Sequence, residues 1–224
     1  MLMSFPNNAH QGVKKIFAAG VLALIALCIE IVALVLAFTK GIFALNFIET
    51  LGWLSLILSV TSLVVELVGV NQAAKDEQTF RSARIALIVS TVFALLNFFV
   101  EEPKFLVRLF SLTSNIASYC LCLFIIRAVI NLAHKLKNQK VAELGKRLFR
   151  LCIIAFCYGF TLGLLLFFIE ETYSARTLLF VLSIAACLVS IVQIVLYFLC
   201  LSRAIKMLDV VHNGWGYDQS APQN

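Results

Sequence analysis

Six apolar stretches, at 16–38, 51–70, 85–100, 110–133, 151–169 and 177–201, leave this chain few ways to fold. A helix needs about 20 apolar residues to cross a bilayer. Lipid offers no water to satisfy a broken backbone, so only helices or a closed barrel can span it. The alternating pattern of about ten residues that marks a barrel strand does not occur. The expected fold is therefore all-α, a polytopic membrane protein with six transmembrane helices. At 62% hydrophobic and 13% charged, the chain lies far from a soluble domain at about 45–50% and about 25%. The three prolines (Pro6, Pro103, Pro222) all fall outside the apolar stretches, so no span is expected to kink. The third stretch is the shortest, which starts its helix nearer Phe80 or places it where the bilayer thins.

The polar interval after the fourth stretch orients the rest. Residues 134–150 form a basic connector in which Lys135, Lys137, Lys140, Lys146, Arg147 and Arg150 face one acid, Glu143. Adding Lys14, Lys15, Lys75, Arg81, Arg84, Arg203 and Lys206 places 13 basic residues on one side. Lys40, Lys104, Arg108 and Arg176 make four on the other. Basic loops stay in the cytoplasm, so both termini are expected there, in the plasma (cell) membrane. The implied organisation is a cytoplasmic segment at 1–15, a transmembrane domain at 16–206 and a flexible cytoplasmic tail at 207–224. The first stretch is longer than a signal-peptide core and lacks a clear cleavage site, so it reads as a retained span. Within the connector, Val141, Leu144 and Leu148 recur at helical spacing. That fits a helix lying on anionic lipid headgroups, a cytoplasmic extension of the fifth span, or a solvated helical loop with ordinary inner-side charge.

Two short patterns recur at corresponding depths. The even-numbered spans leave the membrane through Asn71-x-Ala73-x-Lys75, Asn131-x-Ala133-x-Lys135 and Ser202-x-Ala204-x-Lys206. The third and fifth end at the opposite face in Phe-Phe-(Val/Ile)-Glu-Glu, closing on Glu101-Glu102 and Glu170-Glu171. The first span ends differently, at Thr39-Lys40. Together the patterns predict three tandem two-helix hairpins in one orientation, related by an axis along the membrane normal.

Ionisable groups inside spans are the strongest functional pointers, because each costs roughly 2.5–3.5 kcal/mol at mid-membrane. Glu30 lies past the middle of the first span with no base in its own helix. It is either protonated and bonded to a neighbouring Ser, Thr, Asn or Gln, or it lines a polar path as a proton or cation site. Glu66 and Arg127 share nearly one depth and are expected as an interhelical ion pair or as two snorkelling side chains. Glu49, Glu101, Glu102, Glu170 and Glu171 form a possible outer acidic rim, either screened by nearby bases or drawing cations. Asn97, Asn115, Gln193, Thr161 and Tyr158 are expected to make hydrogen bonds between helices. Gly159-x-x-x-Gly163 allows a close helix approach.

Catalytic and metal chemistry have little to build on. Adjacent glutamates occur in membrane-embedded CAAX proteases as Glu-Glu-x-x-x-Arg with histidines on later helices. Here Arg176 follows Glu171 after four residues, Arg108 follows Glu102 after five, and His10, His134 and His212 sit in inner segments. The pattern does not carry over. No metalloprotease, serine-hydrolase or phosphate-loop motif is present. All seven cysteines (Cys28, Cys120, Cys122, Cys152, Cys157, Cys187, Cys200) lie in apolar stretches and read as small packing residues. No cofactor and no nucleic-acid partner is implied. The expectation is a non-catalytic scaffold, immunity or partner-binding subunit, monomeric or assembled with copies of itself. The alternative is a small permease or channel/transporter subunit built around Glu30.

Overall fold

The structure is a computed structural model. It describes the backbone at residues 7–40, 45–100, 102–168 and 173–218, and side chains at 7–37, 47–100, 102–103, 105–161 and 189–212. The described residues form six α-helices and no strand: α1 (Asn7–Lys40), α2 (Leu45–Ala73), α3 (Thr79–Phe99), α4 (Lys104–Lys135), α5 (Gln139–Phe168) and α6 (Tyr173–Asp218). Five contain a described stretch long and apolar enough to cross a membrane, in α1, α2, α3, α4 and α6. The fifth expected span, 151–169, belongs to α5 up to Phe168, but its side chains from 162 onward lie outside the described residues, as does residue 169.

Helix ends depart from the ends of the apolar stretches. α3 begins at Thr79, which gives the short third stretch its missing length. Between α4 and α5 only residues 136–138 intervene, so most of the basic connector is the opening of α5 and not a separate surface helix. Asn138 donates its backbone N–H to Ala133 O at 2.8 Å and Lys137 donates to His134 O at 3.1 Å. These are the paired bonds of a Schellman C-cap. Lys137 takes the left-handed position with φ 54°, where a glycine would sit without strain. Asn138 then caps α5, its Oδ1 accepting Val141 N–H at 3.2 Å. α6 likewise runs through the boundary expected at 206, with Met207 and Leu208 buried. They continue the helical stripe of Cys200, Leu201 and Ala204. Residues 219–224 lie outside the described residues.

The chain divides into two compact units, Met1–Asp76 and Glu77–Asn224. In the first, α1 and α2 pair antiparallel along a seam of small residues seven apart. Gly12 meets Gly69, Ala19 meets Ser62 and Ala26 meets Ser55; all six are buried. A Cβ on Gly12 would stand 2.6 Å from Ala73 Cβ and from Gly69 O, so the backbones touch. Ser62 Oγ donates to Ala19 O at 2.8 Å and Ser55 Oγ to Ala26 O at 3.4 Å. Small side chains and cross-helix hydroxyls are what hold helices together where lipid removes the hydrophobic drive.

In the second unit α4 is the centre, packing on α3, α5 and α6. Half of its apolar stretch is buried, against 17% in α3 and 28% in α6. Ser90 Oγ and Ser118 Oγ lie 2.6 Å apart, Ser114 Oγ donates to Ser90 O at 3.1 Å, and the rings of Phe93 and Phe110 stand 5.8 Å apart. On the other side, Val141, Ala142 and Leu148 of α5 are buried. A Cβ on Gly145 would meet Ile130 Cγ1 at 2.6 Å. The apolar stripe of the connector therefore faces protein.

Candidate functional site

Polar chemistry concentrates at the helix ends beside the α2–α3 connector, where two adjacent acids serve different units. Asp76 accepts Asn8 Nδ2 at 3.0 Å on Oδ1 and Ala9 N–H at 2.8 Å on Oδ2. The first amides of a helix have no partner within it and favour a negative charge, so Asp76 caps α1 from the turn that follows α2. One turn further in, Lys15 Nζ donates to Gln72 Oε1 at 2.7 Å, and Gln72 Nε2 donates to Gln11 Oε1 at 2.6 Å.

Glu77 does the same work for the second unit. It is buried, forms an ion pair with Lys135, and accepts Thr79 Oγ1 at 3.0 Å and Asn131 Nδ2 at 3.4 Å. Asn131 Nδ2 also reaches Thr79 Oγ1 at 3.0 Å. Asn131 and Lys135 lie four residues apart on one face of α4, so the Asn-x-Ala-x-Lys pattern is a clamp on the start of α3. Burial pushes the Glu77 carboxyl up, but the bonds from Lys135, Thr79 and Asn131 outweigh it and hold its pKa below the ordinary carboxylate value. Sequence reasoning saw only a connector of mixed sign here. The [Asn/Ser]-x-Ala-x-Lys pattern was the available signal for Asn131 and Lys135.

Glu30 sits on an exposed position of α1, and the buried Ser55 hydroxyl donates to its Oε1 at 2.7 Å. Exposed Ile31, Val32, Leu34 and Val35 surround it along the helix. Beside it a cavity of about 350 Å³ is lined by Val21, Leu24, Ile25, Cys28, Ile29, Val32 and, from α2, Leu51. Every lining side chain is apolar or a thiol, so the cavity offers a cation no oxygen ligand. Glu66 is half-buried on α2 and Arg127 exposed on α4, and they belong to different units.

Of the outer rim, Glu49 and Glu102 are exposed; Glu101, Glu170 and Glu171 lie outside the described residues. Among the expected interhelical donors, Gln193 Nε2 bonds Cys152 Sγ at 3.3 Å, while Thr161 Oγ1 turns back to Cys157 O of its own helix at 2.8 Å. Asn97 Oδ1 is buried without a partner and Asn115 is exposed. Gly159 faces Tyr119, a Cβ there falling 3.6 Å from the phenol oxygen, and Gly163 lies outside the described side chains. On the connector, Lys137, Lys140, Lys146, Arg147 and Arg150 are exposed. The described residues contain no group of three or more His, Cys, Asp or Glu placed to hold a metal ion.

No family model matches the chain, and neither the curated proteins nor the solved structures include a similar one.

Proposed function

We propose that this protein is a non-catalytic, multi-pass membrane module, a scaffold, immunity or partner-binding subunit of the plasma membrane. Its six spans form three tandem hairpins with both termini in the cytoplasm. Burial of the landmark alanine at the end of each even-numbered span supports the repeat, with Ala73 and Ala133 at 0% and Ala204 at 1% exposure. The exposed bases of the α5 opening form a cytoplasmic docking face, with anionic headgroups as its nearest ligands.

One observation carries the non-transporting reading. Eight hydroxyls along the described spans spend hydrogen bonds on helix groups: Ser55, Ser62, Ser90 and Ser114 across helices, Thr61, Thr91, Thr113 and Thr161 on their own. A solute path needs polar groups left over to replace water. Two groups depart from this pattern: Asn97 Oδ1 is buried without a partner, and Glu30 is an exposed carboxyl on an apolar helix face, which is expensive in lipid. Glu30 keeps a second reading open, that of a small permease or channel subunit with a proton or cation site.

Reconstitution separates the two. Proteoliposomes carrying the protein are tested for proton and alkali-cation flux, with Glu30→Gln alongside. A photo-crosslinker at Lys140 is used in parallel to capture neighbours in the native membrane. The scaffold reading expects background flux from both proteins and a defined crosslinked neighbour. Flux above background that Glu30→Gln removes would overturn it in favour of the permease.

A further inference from the structure

The α4–α5 interface holds a pair of thiols that packing alone does not explain. The register of the two antiparallel helices is fixed at both ends of the contact. Gly145 stands against Ile130, and further along the Tyr119 and Phe156 rings lie 5.5 Å apart with Gly159 against the Tyr119 hydroxyl. Between these contacts Cys122 of α4 comes level with Cys152 of α5, and the two thiols face one another across the interface. From α6, Gln193 donates Nε2 to Cys152 Sγ at 3.3 Å. Gln193 is itself only 9% exposed and Cys152 1%. A cysteine that merely fills space needs no amide beside it. Here one sulfur is fixed by a thiol on one helix and an amide on another.

We propose that Cys122 and Cys152 are a redox-active dithiol that closes to an α4–α5 disulfide, with a lipid-soluble quinone as oxidant. Both thiols lie within apolar stretches, Cys152 at the start of its stretch two residues after Arg150, where an oxidant dissolved in the apolar layer can reach them. Cys122 is the more accessible of the two and meets the oxidant first; Cys152 is buried and resolves the adduct. Two S–H bonds break and one S–S bond forms. The two electrons and two protons pass to the quinone, which leaves as the hydroquinone. A disulfide needs Cβ atoms about 3.5–4.5 Å apart; that spacing is set by how closely α4 and α5 approach, and rotation about the Cα–Cβ bonds then turns the sulfurs together. Closure would pin α5 to the central helix of the second unit.

The test uses the full chain in lipid nanodiscs, oxidised in separate samples with duroquinone and with the permeant azo compound diamide. Duroquinone carries no free ring position and so cannot remain attached to a thiol by arylation. Remaining thiols are blocked with N-ethylmaleimide, and peptides are mapped by mass spectrometry without reduction. The expected result is a linked Cys122–Cys152 peptide with both oxidants, reversed by dithiothreitol. It is absent from Cys122→Ser and from Cys152→Ser, and retained in Cys120→Ser and Cys157→Ser. Full alkylation of both cysteines after diamide, or linkage of either to another cysteine, overturns the dithiol. Linkage with diamide but not with duroquinone overturns the quinone assignment.

Discussion

Glu77 shows how one residue can set the acid tolerance of a whole unit. Its carboxyl is held below the ordinary value because the bonds from Lys135, Thr79 and Asn131 exceed the cost of burial. A group whose folded pKa lies below its unfolded value, about 4.3 for Glu, stabilises fully above that unfolded value. The contribution disappears as pH falls through the folded pKa. Unfolding in detergent followed from about pH 7 to about pH 3 should therefore show stability falling at the acid end. Glu77→Gln is expected to lose about 1–3 kcal/mol at neutral pH and to flatten the acid slope. A variant with the wild-type slope would remove Glu77 from this role. The Asn-x-Ala-x-Lys pattern marked Asn131 and Lys135 in the sequence, but their partner was hidden, because Glu77 and Lys135 stand 58 residues apart and no local spacing links them. The αL position of Lys137 was equally hidden, since lysine does not announce a left-handed turn. Relieving it with Lys137→Gly should raise stability by about 1 kcal/mol, read as a higher melting temperature; a fall would mean the lysine side chain itself supports the cap.

At the scale of helices, the α1–α2 seam is the clearest case of a pattern present in the sequence but invisible to hydropathy. Gly12, Ala19 and Ala26 recur at seven, as do Ser55, Ser62 and Gly69. Small residues on an all-apolar helix give no contrast between faces, so periodicity scanning has nothing to detect. Their effect is steric. Gly12→Ala places a methyl 2.6 Å from both Ala73 Cβ and a backbone oxygen, and overpacking of this kind costs about 1–3 kcal/mol. Gly52 lies on the same hairpin with nothing within 4 Å of its would-be Cβ, so Gly52→Ala should leave stability unchanged or slightly raised. Thermal unfolding of the two variants side by side checks the seam; equal effects would mean that the close approach does not carry the hairpin. The connector shows the converse. Its spacing of Val141 and Leu148 was read correctly as helical, yet spacing cannot say whether a stripe meets lipid or protein. Gly145 against Ile130 answers that, because a glycine at a helix crossing is a contact and not a propensity.

For the whole molecule, the apolar lengths were enough to predict helices because a bilayer leaves the backbone few choices. Chain division at Asp76 and Glu77 was not visible, since both acids sit in one short polar connector and differ only in the helix each one reaches. Membrane sidedness rests on the charge count alone and can be examined most sharply across α4. That helix has 32 residues, or about 48 Å at about 1.5 Å per residue, against a hydrocarbon core of about 30 Å. Exposed Glu102 precedes it and exposed Lys140 follows it, so one crossing by α4 would put the two on opposite sides. In a background with the native cysteines removed, Lys140→Cys should react with an impermeant maleimide only from the cytoplasmic side, and Glu102→Cys only from outside. Exchange of the two sides would invert the topology and overturn the charge argument while keeping α4 as a span. Reaction of both from one side would mean that α4 does not cross, and six spans would then be impossible whatever the apolar lengths suggest.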